Sequence, residues 1–219
     1  MDGKQRIVKE EEMKRTLYVS DLDGTLLNRQ SVLSETTIAT LNRILQEKKA
    51  LFTIATARTP ATVVDLMKEV KCSLPFVLMA GAVLWNDSKQ NYERVRAIPS
   101  ATVDKLLEIY GHYTIRPFIY RRHGNCLFVY HTFELTESER QFIEPRIQSP
   151  FKRLVTAESL TAQDPDDSVL VYSMGSYATL LNIANEIRAS QLPCTLSCYQ
   201  DIFDCSQGIL EIYAPKTTK

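Results

Sequence analysis

Apolar positions along this chain recur with two different periods, and the switches between them mark its elements. Leu17 to Val19 is a short apolar strand that ends in Ser20 and Asp21. Ser34 then stands as an N-cap before Ile38, Leu41 and Leu45, whose spacing predicts one apolar helix face; Lys48 and Lys49 follow at the end where cations suit the helix dipole. Ala50 to Thr56 is continuously apolar, as expected of a strand buried on both faces. Thr59-Pro60 supplies a cap and a first-turn proline for a helix carrying Val63, Val64, Met67 and Val70, and Pro75 to Met79 gives a third strand. This β-α-β-α-β rhythm predicts a Rossmann-like α/β core with a parallel sheet and right-handed crossovers, which gathers ligands at the carboxyl ends of the strands.

Beyond residue 83 the rhythm changes. Leu84 to Val95 reads as a hairpin around Asn86-Asp87-Ser88, followed by a helix from about Ala101 to Tyr110 and two strands flanking His123-Gly124-Asn125. Thr136-Glu137-Ser138-Glu139 has the form of a capping box, and Pro145 and Pro150 end the helix it opens. Val169 to Met174 and Thr195 to Tyr199 are strands around a helix over Tyr177–Ile187 that turns Leu180, Leu181 and Ala184 inward. Asp164-Pro165-Asp166-Asp167 reads as a solvated turn. The chain thus divides into a charged mobile tail over 1–15, a core over 16–95 and 209–219, and an inserted α+β unit over 96–208.

Composition narrows the function classes. The 219 residues carry 26 Lys+Arg and 26 Asp+Glu, so no global field recruits nucleic acid or an acidic membrane. No apolar run is long enough to span a bilayer, and the N-terminus is charged rather than signal-like. Cys72, Cys126, Cys194, Cys198 and Cys205 are scattered and read as small hydrophobes of a reducing, cytoplasmic protein.

The chemistry concentrates at Asp21-Leu22-Asp23-Gly24-Thr25-Leu26-Leu27. Alternate residues of an extended segment share a face, so Asp21 and Asp23 stand together just past the first strand. Two carboxylates held that close repel unless a cation rewards the arrangement, and Mg²⁺ takes hard oxygen ligands. Asp21 is then placed to attack phosphorus and Asp23 to exchange a proton with the leaving oxygen.

This string resembles the first motif of the haloacid dehalogenase-like hydrolases, in particular the Cof-type phosphatases with a large α/β cap, and the inserted unit matches that cap in position. The resemblance implies an Mg²⁺-dependent phosphomonoester hydrolase of a small phosphorylated metabolite, acting through an aspartyl-phosphate. It implies Asp21, Asp23, Thr56 and Lys219 as catalytic residues, with Asp21 and Asp23 on the metal. Leu22, Gly24, Thr56, Ala57, Arg58 and Lys219 would surround the phosphate. Thr56-Ala57-Arg58 departs from the family's usual Gly after the hydroxyl residue, and Ala80 stands where relatives carry an Asn. Pro215-Lys216-Thr217-Thr218-Lys219 resembles the return from cap to core that ends in a charge-neutralising lysine, Lys216 being the weaker choice. The family's later acidic motif is not found before Lys219, so a fragment or part of a longer protein is expected. Arg116, Arg121, Arg122 and His123 form a basic turn that either greets an anion or is simply solvated; Tyr120, Phe128 and Tyr130 read as core. A phosphomutase of the same superfamily and a non-catalytic module binding a phosphorylated ligand or partner are the alternatives. Nothing in the sequence sets the oligomeric state.

Overall fold

A computed structural model describes residues 16–47, 50–161, 167–201 and 204–218. The expected tail, Lys48, Lys49, Asp164-Pro165-Asp166 and Lys219 lie outside the described residues.

The first body is an α/β layer. Strands β1 (Leu17–Ser20) and β2 (Leu51–Ile54) pair in parallel, with Leu17 opposite Leu51 and Ser20 opposite Ile54. A parallel bridge from Ala55 to Val77 joins β2 to β3 (Phe76–Leu78), which continues through β4 (Val83–Asn86) and β5 (Asn91–Val95) as an antiparallel meander. Helix α1 (Glu35–Glu47) starts where the Ser34 hydroxyl accepts the Thr37 N–H at 3.1 Å. Helix α2 (Pro60–Met67) starts at Thr59 with its first-turn proline and buries Ala61, Val63 and Met67.

The second body is a six-stranded sheet in the order β10-β11-β9-β6-β7-β8. Its strands are β6 (Phe118–His123), β7 (Cys126–His131), β8 (Lys152–Thr156), β9 (Ser168–Ser176), β10 (Thr195–Gln200) and β11 (Gln207–Tyr213). Helices α3 (Ser100–Tyr110) and α5 (Tyr177–Ala189) cover one face, where Ile119, Val171, Leu210 and Ile212 pack with Leu106, Leu180 and Ile183. The alternate positions Phe118, Tyr120, Leu170 and Tyr172 point to the opposite face and pack with the hydrophobic core of the first body. Helix α4 (Glu137–Ile143) opens on the expected capping box at Thr136 and Glu139, and Pro145 falls in the short 3₁₀ turn that follows it.

Two expectations are corrected and one strand is added. The sequence pattern assigns 209–213 to the core, but β11 lies inside the second sheet between β9 and β10, because its alternating Leu210 and Ile212 find their apolar partners there; only 214–218 return. Strand β8 went unread because Lys152 and Arg153 break the apolar pattern at its start. Leu181 is 36% exposed, since the buried stripe of α5 runs through Leu180, Ile183, Ala184 and Ile187. No described helix is long and apolar enough to cross a membrane.

Candidate active site

The carboxyl end of β1 carries the acidic turn. Leu22 is fully buried and pins the loop, while Asp21 and Asp23 on either side of it reach the surface. Asp21 remains extended (φ −73°, ψ 162°) and its Oδ1 accepts the Leu22 N–H at 2.8 Å. Gly24 follows at φ +73°, where a side chain would find open space but a strained backbone; the glycine is required for conformation, not room. The Leu27 N–H closes the turn on the Leu22 carbonyl at 2.9 Å.

The parallel register brings the second element alongside. The Ala55 N–H donates to the Ser20 carbonyl at 2.8 Å, so Ala55 stands level with Asp21 and the next residue one step beyond it. That residue, Thr56, is 1% exposed, and its Oγ1 accepts the Arg58 N–H at 3.2 Å, a bond that leaves the hydroxyl proton uncommitted. Ala57 is exposed beside it.

Arg58, expected around the phosphate, pairs with a carboxylate in this structure. Its Nε donates to Asp23 Oδ2 at 2.9 Å and its Nη2 to Asp23 Oδ1 at 2.7 Å, a bidentate pair across 35 positions. The hydrogen bond to Asp23 raises the Arg58 pKa. In this arrangement Arg58 orients Asp23 from the rim of the turn.

The third element latches the other two. After β3, the Met79 N–H donates to the Arg58 carbonyl at 3.0 Å and the Ala80 N–H to the Thr56 carbonyl at 3.1 Å. Met79 and Ala80 both take left-handed φ (52° and 53°), a conformation that favours Asn over Ala. Gly81 follows at φ +92°; a Cβ there would stand 2.2 Å from the Thr218 carbonyl oxygen. The segment 214–218 therefore runs directly over this turn, held also by Arg96 Nη1 donating to the Lys216 carbonyl at 3.0 Å. Lys216 itself is exposed, and Thr217 is buried with no partner for its hydroxyl among the described residues.

Between the two bodies lies a cleft of about 540 Å³, with Asp23, Ala57 and Arg58 on one wall and Tyr120, Lys152, Tyr172 and Glu211 on the other. Sequence reading missed Lys152 and Glu211; only Glu211, a charge inside the otherwise apolar run of β11, offered a signal. Tyr120 was read as core and is 5% exposed, yet it also lines the cleft. Arg121 does not greet an anion: it is 6% exposed, donates to the Leu160 and Thr161 carbonyls at 2.7 and 3.1 Å, and pairs with Asp167 at 3.7 Å. Asp167 is correspondingly buried rather than part of a solvated turn. Among the described residues no three His, Cys, Asp or Glu side chains gather as a metal cluster.

A family model described as haloacid dehalogenase-like hydrolase matches residues 18–219. A solved haloacid dehalogenase-like hydrolase from Bacteroides thetaiotaomicron superposes with TM-score 0.67 at 18% identity, covering 93% of this chain and 73% of that one. A phosphatase of the haloalkanoate enzyme superfamily from the same organism gives TM-score 0.63 at 17% identity, covering 98% and 72%. A subclass IIB sugar phosphatase gives TM-score 0.63 at 14% identity, covering 92% and 71%. No curated protein matches the chain. With an acidic turn at the end of its first parallel strand and a second sheet over the site, the chain belongs to the haloacid dehalogenase-like hydrolases, in their Cof-type branch.

Proposed function

We propose that this protein is a Mg²⁺-dependent phosphomonoester hydrolase of a small phosphorylated metabolite. One observation carries the reading: β1 and β2 deliver Asp21 and Thr56 to adjacent strand ends, with Asp23 two residues on. Asp21 is the nucleophile. Its carboxylate oxygen bonds to phosphorus as the ester oxygen departs, and water then releases phosphate from the aspartyl-phosphate. Asp23, once released from the Arg58 fork that holds its carboxylate at rest and protonated, gives that proton to the leaving oxygen and takes one back from the incoming water. The Thr56 hydroxyl and the backbone N–H groups of the exposed Gly24 and Ala57 hold the phosphoryl oxygens, while buried Leu22 anchors the loop that presents them. Lys219, one residue beyond the segment packed on Gly81, would neutralise the same charge.

The donor set suits the metal. The Asp21 carboxylate and an Asp23 oxygen, including its backbone carbonyl, are hard ligands, and Mg²⁺ keeps several waters where protein ligands are few. When bound it supplies charge neutralisation for the phosphoryl group. The Arg58 fork meanwhile holds the Asp23 carboxylate at the rim, next to the cleft where a leaving group would sit.

Phosphate release from a panel of metabolite monoesters, with and without Mg²⁺, tests the reading. Wild-type protein releases phosphate only with the metal, and Asp21→Asn reduces release to background. Full activity in Asp21→Asn would remove Asp21 as nucleophile.

A further inference from the structure

The cap-side wall of the cleft holds an unusual buried cation. Lys152 opens β8 at 3% exposure and lines the cleft. Its Nζ lies 5.3 Å from the centre of the Tyr120 ring, and none of the ion pairs among the described residues includes it. The neighbouring charge is of like sign: burial first, and Arg146 second, bring its pKa down to about 8. Tyr172, whose ring centre lies 6.1 Å from that of Tyr120, is 4% exposed and buries a hydroxyl with no hydrogen-bond partner among the described residues. A buried ammonium without a counter-ion and a buried hydroxyl without a partner are costly for the protein alone. Both line the same cleft as Asp23 and Arg58. A ligand that brings an anion to this wall relieves both.

We propose that Lys152, with Arg146 and the Tyr172 hydroxyl, forms an oxyanion subsite that selects phosphomonoesters whose leaving group carries a second anionic group, a carboxylate or a further phosphate. This rests on the phosphomonoesterase reading and specifies its substrate class. Glu211, on the same wall, opposes charge at its own position and leaves room there for a hydroxyl of the leaving group. The alternating pattern of β11 turns it to the cleft while Leu210 and Ile212 face the helices.

Two matched pairs of ligands test the subsite. Glycerol phosphate and phosphoglycerate differ by a carboxylate in place of a hydroxymethyl group; fructose phosphate and fructose bisphosphate differ by one phosphate. Binding is read by calorimetry and turnover by phosphate release, in wild type and in Lys152→Met, whose folding is checked by thermal melting. The expected result is a preference of about tenfold or more for the anionic member of at least one pair, carried by Kd and KM, that falls to within about twofold of unity in Lys152→Met. The pair that shows it identifies the anion as carboxylate or phosphate. Should Lys152→Met not fold, the wild-type preference across the four ligands decides. Equal binding of both members of each pair overturns the subsite, and continued phosphate release then leaves the hydrolase reading standing. A clear binding preference without phosphate release does the reverse.

Discussion

Thr56 and Lys152 show how one buried polar atom can be satisfied locally and another left waiting. Thr56 is tied to the Arg58 N–H, so its hydroxyl holds a fixed position with a proton to give. Thr56→Ala should lower kcat by about 10²-fold with little change in melting temperature, because the local turn keeps its β2 and β3 backbone bonds. Thr56→Ser should recover most of the rate. Lys152 behaves oppositely. Its pKa in the folded protein, about 8, lies below the ordinary 10.5, so the unfolded chain binds more protons between those values and stability rises with pH across that window. Lys152→Met removes the burden of the buried charge and should stabilise the protein at pH 7 by about 2 kcal/mol while weakening anionic ligands. Chemical denaturation at pH 7 and pH 10 checks both signs; the gain should shrink at the higher pH. The titratable and charged groups that share its cleft are Arg146, Glu211, Tyr120 and Tyr172 from the cap and Asp23 and Arg58 from the opposite wall. Burial keeps both tyrosines protonated well above the usual range, so loss of anion preference above about pH 8 would belong to Lys152.

At the scale of elements, the turn after β3 joins the site together, and its sequence fits it imperfectly. Ala80 occupies a left-handed conformation, which Asn tolerates better than Ala. Ala80→Asn should raise stability by about 0.5 kcal/mol and adds a hydrogen-bond donor next to Thr56. Gly81→Ala should do the opposite. Its Cβ would drive into the Thr218 carbonyl, so the change should cost about 2 kcal/mol or more and displace the C-terminal segment; thermal melting and phosphate release should fall together. Elements built on local signals were legible in the sequence: the Thr136 capping box, the Thr59-Pro60 helix start, and the strand leading to Asp21. Strand β8 was not, because Lys152 at its start serves a cleft rather than a core and the next residue, Arg153, is exposed. The place of β11 was hidden for another reason: sheet order depends on which distant strand offers an edge, here β9 and β10.

At the scale of the molecule, two sheets face each other across the cleft, and this arrangement decides which residues meet. The acidic turn could be read from seven consecutive residues. The pairing of Asp23 with Arg58 across 35 positions, and of that pair with a cap wall of Lys152, Tyr172 and Glu211, needed the folded chain. At the far edge, β1 pairs only with β2 among the described residues, and Leu17, Tyr18 and Val19 are each about half exposed. An open apolar edge promotes self-association, so Tyr18→Lys should reduce concentration-dependent light scattering without loss of melting temperature. The central claim, that Asp21 takes the phosphoryl group, is tested most directly by acid-quenching the protein during turnover with Mg²⁺ and mapping its peptides by mass spectrometry. The account predicts one phosphoryl group on Asp21 in the wild type and none in Asp21→Asn. Phosphate release with no adduct on Asp21, or with the adduct on another residue, would contradict it.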